Sequence, residues 1–443
     1  MDDAKKLWER WQRLLQKFIV WFTRPGWVRF MQWVTGMVLC WEEHTITQIL
    51  TSMGLESRWR VLERFAEYGA FDCVAIERLT MQVIEEEQPP RWAGYHPVAV
   101  DDTKEHRSSD QVWGTCTFHE PASRSPNRAE TVRAHNWVVM GSLVPGTPWT
   151  YLPHTARLYF RESQLPAGET FCKKTEWAVD MLRQADSVSL APILAVFDGA
   201  YANETVIAPC LHPQEGQRRI EVVTRLRLDA RLYRPKVANA TGRPRLWGRR
   251  LPAPQNHEQW DTPWQKGRAY IYGRQRRFQY KQLRCFWSVS GSEQPVQVFV
   301  FQVEGYEQPW YLVSTALELT PAQVVEVFAG RYRQEDGFRD HKQRLGMEEC
   351  RAWTKQPILR TFCVQMVAQT MLRLLQFELA ADGDHKGTWW SPPEWNPHKK
   401  HPSILDLRRL LWQHRQDFSH FLVELEELPK VVAGPSPAPA LAG

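Results

Sequence analysis

Two short runs constrain this chain more than any other feature: "VAVDD" (98–102) and "ILAVFD" (193–198), each apolar until it stops on an acid. A run without polar alternation reads as a strand buried on both faces, which belongs in a sheet covered by helices. An amphipathic helix is expected near 171–186, between the two runs. Further strands are expected at "NWVVMGSLV" (136–144), "WTYLPH" (149–154), "VQVFVFQV" (296–303) and "WYLVSTA" (310–316). Strands alternating with helices give an α/β fold around a mixed sheet.

In such sheets the strand ends are where ligands gather. A single strand-end aspartate is more commonly a turn or cap residue. A third acid changes its meaning. Thr320-Pro321-Ala322-Gln323 offers a capping Thr, Pro at the first helical position and Gln three residues after the cap, so one helix is expected from there to Leu345-Gly346. At about 100° per residue, Phe328, Arg331, Glu335 and Lys342 fall within an arc of about 60° on it. Glu335 is then the one acid of that face, bracketed by cations. The same spacing suits a surface ion-pair helix. Taken with the two aspartates, it supplies three carboxylates able to hold two hard divalent cations for phosphoryl transfer.

Charge points the same way. Between Arg218 and Arg284 stand 18 Lys+Arg and 4 Asp+Glu, a net +14 in a chain whose total is +6. This basic segment carries strand-like pieces ("RIEVVTRLRL", "RAYIYG") and the aromatics Trp247, Trp260, Trp264, Tyr270, Tyr272 and Trp287. The combination suits a clamp on a nucleic-acid backbone and its unstacked bases; a solvated basic face around its own small core is the plainer reading. Residues 45–68, with Gly54 between two amphipathic runs, have the outline of a helix-turn-helix, which any small helical bundle shares. The eight cysteines include no C-x-x-C pair, which argues against a disulfide framework or zinc site and for a reducing compartment. The apolar stretch Trp27–Trp41 is short and carries Arg29, so no membrane span is expected. His119 and His135 read as structural, and His385, His398 and His401 as solvent-facing.

The order Asp, Asp, Glu resembles the DDE transposases of bacterial insertion sequences, which have a ribonuclease H-like fold. One branch carries Y-(2)-R-(3)-E-(6)-K on the helix bearing the Glu; here it reads Phe328-(2)-Arg331-(3)-Glu335-(6)-Lys342, with Phe in place of Tyr. "TRLRLDARLY" (224–233) is also similar to that branch, as is a β-rich insertion between the second Asp and the Glu. The resemblance implies Asp102 (followed by Thr103; Asp101 as the fallback), Asp198 and Glu335 as catalytic metal ligands. It implies two Mg²⁺ ions per site, replaceable by Mn²⁺. Phe328, Arg331, Lys342 and, in the insertion, Arg225, Arg227, Arg249 and Arg250 would contact DNA. Loss of that hydroxyl at Phe328 would either weaken substrate positioning or be partly made good by Tyr332, from an adjacent face.

The implied layout is a helical DNA-binding domain at 1–90, core at 91–211, insertion at 212–295, core with the Glu helix at 296–380, and a helical C-terminal region with a disordered tail at 381–443. The implied activity is cut-and-paste transposition through a hairpin, on terminal inverted repeats and target DNA, by a dimer in the synaptic complex. The setting would be a bacterial cytoplasm, at the nucleoid. An inactive DNA-binding descendant and a glycosidase using two of the acids are the rival expectations.

Overall fold

The computed structural model describes residues 2–120, 131–236, 246–291, 294–381 and 390–416. The chain opens in helices α1 (Asp2–Gln16), α2 (Arg24–Leu39), α3 (Ile46–Thr51), α4 (Trp59–Tyr68) and α5 (Cys73–Glu87). Their starts follow local chemistry. Thr23 accepts from the Gly26 N–H with Pro25 in the first turn of α2, and Asp72 accepts from Val74 at the start of α5.

Strands β1 (His96–His106), β2 (Cys116–His119), β3 (Thr131–Val144) and β4 (Thr150–Tyr159) follow, then α6 (Lys174–Val188), β5 (Ile193–Phe197), α7 (Glu204–Leu211) and β6 (Glu221–Arg225). β1 is antiparallel to β3, which is antiparallel to β4, whereas β5 runs parallel to both β1 and β6. The resulting order β4-β3-β1-β5-β6 is that of a ribonuclease H-like core. β6 falls inside the range read as insertion; its pairing with β5 makes "EVVTR" a core strand, with the inserted strands beginning after it.

Those strands are β7 (Leu232–Tyr233), β8 (Gln265–Ile271) and β9 (Arg274–Trp287), followed by β10 (Pro295–Val303) and β11 (Trp310–Ser314). β11 pairs with β6, β10 with β11, and β9 with β10, so the inserted strands prolong the core sheet, which has 11 strands among the described residues. Helices α6 and α7 bury Val98, Val100, Ala195, Phe197, Val296, Val298 and Val300 on one face. Helix α8 (Pro321–Gly330) buries Ala99, Leu194, Val196, Val223, Phe299 and Phe301 on the other.

The helix expected over 320–346 is interrupted. Thr320 and Gln323 form the capping box, and Gly346 sits at φ +64° beyond the end, as their chemistry predicts. Between them the chain forms α8 and then α9 (Arg333–Arg344), separated at Arg331–Tyr332. There the Tyr332, Gln334 and Glu335 N–H groups bond three residues back rather than four, tightening the turn. Gly330 lies so close to the Trp149 ring that a Cβ would stand 2.8 Å from it.

Helix α10 (Lys355–Ala381) is long and apolar enough to cross a membrane, yet 89% of its most apolar window is buried inside the protein. It is the post against which α1, α2, α4 and α5 pack, joined by α11 (Ile404–Gln413). One core contains Trp11, Phe30, Trp33, Leu62 and Ile84 together with Val367, Met371, Leu375, Leu407 and Leu411. Arg360 donates to the Ala66 and Gly69 carbonyls at 2.8 Å each, and Arg408 Nε to Val38 at 2.8 Å. The first ninety residues therefore complete no core alone. The helix expected across 404–428 is seen as α11; its later part, the tail and His385 lie outside the described residues.

A fragment of residues 1–90 should show weak helicity and no cooperative melt by circular dichroism, because the α10–α11 wall of its core is missing. A sharp transition with native-like helicity would show instead that these helices hold their own core.

Candidate active site

Register fixes the centre of the site. Ala99 of β1 lies beside Val196 of β5, and Phe197 beside Thr224 of β6. Continuing each pairing sets Asp101 beside Asp198 and Asp198 beside Arg225, at the carboxyl ends of adjacent parallel strands. Neighbours in register point to one face of a sheet. Ala99 and Val196 face α8, so Asp101 and Asp198 do as well; Val98 and Val100 face α6–α7, so Asp102 is turned away.

The side chains agree. Arg331 reaches Asp101 Oδ2 with Nη1 at 3.2 Å and Glu335 Oε1 with Nη2 at 3.4 Å. Asp102 instead pairs at 2.6 Å with Lys174 of α6 and faces the Tyr201 hydroxyl at 3.5 Å. Arg331 thus joins Asp101 to Glu335, with Asp198 in register beside Asp101. Of the Asp101–Asp102 pair, Asp101 is the one that shares the face of Asp198 and Arg331, since adjacent strand residues cannot share a face.

Several contacts hold this arrangement. Asp198 accepts from the Ala200 N–H at 2.8 Å, and its carbonyl accepts from Thr224 Oγ1 at 2.9 Å. The Arg331 guanidinium lies 5.9 Å from the centre of the buried Phe328 ring, itself 6.1 Å from Trp310. Buried Gln334 donates to the Val139 carbonyl at 3.0 Å and to the Tyr151 hydroxyl at 3.2 Å, pinning the first turn of α9 to the sheet. Gly337 permits that approach, because a Cβ would stand 2.6 Å from the Tyr151 ring.

Other expected residues stand elsewhere. Lys342 pairs with Glu348 at 3.3 Å, and Glu348 also meets His106, the last residue of β1. Lys342 is therefore tied to the far end of that strand, away from the acids. Glu335 and Lys342 stand two turns apart on the same unbroken helix, α9, and it is this distance along the helix that carries Lys342 past the acids. Arg225 is exposed and on the acid face; Arg227 forms an exposed pair with Asp229 at 3.0 Å; Arg249 and Arg250 are exposed further out. Tyr332 packs on Tyr272 at 5.3 Å and leaves the Phe328 position without a hydroxyl. Buried His135 meets Glu105 and the Trp113 carbonyl, which is a structural role, and His401 donates to or accepts from no acid but meets the Thr147 carbonyl at 3.1 Å.

The aromatic residues beside the acids are mainly tyrosines. Trp260 and Trp287 are buried, and Trp247 stacks on Tyr233. Tyr272, at φ +48° in the β8–β9 turn, meets Tyr306, Trp310 and Tyr332 within 6 Å, and all three tyrosines are more than one-third exposed. Tyr272 and Tyr332 are among the residues the sequence points to; Tyr306, Gln334 and Gly337 are not, and the signal for them is slight: a glycine inside α9.

Burial, followed by the charge of Asp198, pushes the Asp101 carboxyl up to about 7, against the pull of Arg331. Such mutual repulsion is what a bound cation relieves. The donor set is all oxygen, which suits a hard divalent ion. Among the described residues no three acids, histidines or cysteines already stand grouped for a metal, and Arg331 supplies the positive charge. Glu335, 48% exposed at the start of α9, has room to turn toward the aspartates.

An acid cluster of this kind at the parallel-strand ends of a ribonuclease H-like sheet marks a phosphoryl-transfer enzyme of nucleic acids. Residues 22–284 match the DDE superfamily endonuclease family, and the chain belongs to it. Such endonucleases are transposase-like, act on DNA and generally use divalent metals. The matched segment contains both aspartates and ends within β9, before Glu335. No curated protein matches the chain.

An acid whose folded pKa lies above its unfolded value holds a proton that the unfolded chain has released. Stability therefore falls as pH rises from about 4 to about 7 and stays reduced above. Asp101→Asn should remove this fall, with melts in EDTA higher than the parent's at pH 8, by up to about 4 kcal/mol, and little changed near pH 4. Parallel pH profiles for the two proteins would show that Asp101 carries no such burden.

Proposed function

We propose that the protein is a cut-and-paste transposase of an insertion sequence, of the branch with the Y-(2)-R-(3)-E-(6)-K signature. The observation that carries this reading is the pairing of Asp101 with Asp198 at adjacent strand ends, with Glu335 joined to them through Arg331. In this reading Asp101, Asp198 and Glu335 hold two Mg²⁺ ions, which when bound polarise the scissile phosphate and activate the attacking oxygen.

The chain's own groups bind and orient the DNA. Arg331 keeps Nε buried and without an acceptor among the described residues. A phosphate oxygen would satisfy it, and a phosphate drawing the guanidinium outward would free Asp101 and Glu335 for metal. Arg225 stands on the same face as a second phosphate contact. Exposed Tyr272, Tyr306 and Tyr332 offer a surface on which an unpaired base can stack during hairpin formation. The DNA is the element's terminal inverted repeats and a target, and two protomers, one per end, make up the synaptic complex. The setting is the bacterial cytoplasm, at the nucleoid.

The test is incubation of the full chain with DNA carrying the ends that flank its gene, in Mg²⁺ and in Mn²⁺. Cleavage leaving 3′-hydroxyl ends at the element boundary is expected. Asp101→Asn, Asp198→Asn and Glu335→Gln should each reduce it at least 1,000-fold while leaving DNA affinity within a few-fold, and Asp102→Asn should keep most of it. Specific binding without cleavage in either metal would make the protein a DNA-binding regulator. Loss in Asp102→Asn but not Asp101→Asn would reverse the assignment of the first acid.

A further inference from the structure

The outer end of the inserted sheet carries a cationic face that the acid site does not use. Strand alternation puts Lys266 and Arg268 of β8 on the same face as Arg277 and Gln279 of β9 and Gln302 of β10. This is the face of Cys285 and Trp287, the α6–α7 side, whereas Phe278, Ala269 and Ile271 point to the α8 side with the acids. Among the described residues no helix lines this end, and a groove of about 660 Å³ runs across it, lined by Lys266, Arg268, Arg277, Gln279, Gln302 and Glu304.

Arg268 and Arg277 are directly opposite each other in the ladder, and both are exposed. Like charges so placed destabilise a strand pair. Among the described residues neither has a carboxylate within 4.0 Å; the Glu304 carboxylate accepts instead from the Arg277 backbone N–H at 3.3 Å. No carboxylate side chain among the described residues therefore pairs with either guanidinium to offset that repulsion. A row of phosphates would relieve it, and the neighbouring glutamine amides can add donors to phosphate or sugar oxygens.

We infer that this β8–β9–β10 face binds the backbone of a second stretch of duplex DNA, separate from the stretch at the acids. β9 is five strand positions from β1 in the sheet order, roughly 24 Å across, and the groove opens on the opposite face. The inference rests on DNA being the substrate. Its test is independent of cleavage.

The full-length double variant Arg268→Gln/Arg277→Gln is compared with the parent in EDTA, using a duplex much longer than the cleavage site. Weaker binding by at least tenfold at low salt is expected, with the slope of log affinity against log salt reduced by about 2. A higher melting temperature without DNA is expected too, because the like-charge pair is gone. Cleavage of a short duplex limited to the element boundary should be unchanged. Equal affinity and equal slope for the long duplex would overturn the inference and leave a solvated basic face. Weakened binding by this variant alongside a parent that never cleaves would uphold the DNA surface and sink the transposase reading instead.

Discussion

The site depends on one guanidinium. Two aspartates forced side by side by parallel register repel each other, and burial makes each charge costlier. Arg331 is placed to answer that repulsion: it follows directly on α8, rests over Phe328 and spans Asp101 and Glu335. The interruption between α8 and α9 belongs to the same solution. The tightened turn lets Glu335 open a new helix close to the sheet, and Gln334 and Gly337 hold that helix against Tyr151. Small residues at 330 and 337 remove the bulk that would otherwise keep this helix pair away from Trp149 and Tyr151.

Much of this was readable in advance, and the failures have physical reasons. The buried strands, the cap at Thr320 and the mixed sheet follow from patterns that depend on a few neighbouring residues. The face on which a strand-end aspartate points does not. "VAVDD" is apolar on both sides, so it has no alternation from which to read its phase; only pairing with β5 selects Asp101 over Asp102. Arg331 and Tyr332 are both compatible with a helix, so nothing local announced the break that separates Phe328 from the helix of Glu335 and Lys342. Glu221–Arg225 resembles the inserted strands in composition and differs only in its partner. Among the aromatics named from the sequence, the fold uses most of the insertion's tryptophans for packing and leaves Tyr272 exposed, beside Tyr332 and Tyr306, of which only Tyr306 carried no signal.

The insertion also proves to be less separate than a domain list implies. β11 bonds to β6, and the sheet continues through β10 to β9, so the basic segment is joined to the acid-bearing strands by hydrogen bonds rather than by a linker. The Tyr272 turn is the point where that extension curls back toward α9, meeting Tyr332 beside the acids. Charge and chemistry, far apart along the chain, are thus carried by one hydrogen-bonded sheet.

The shared core of the N-terminal helices has a consequence for the timing of synthesis. Trp8 donates to the carbonyl of His414 at 2.6 Å, and the wall that covers α2 and α5 is α10. At ribosomal rates of about 5–20 residues per second, the first helices wait roughly 20–70 s for it. During that interval their apolar faces are open to chaperones and to one another. A nascent chain that stops early leaves those faces bare.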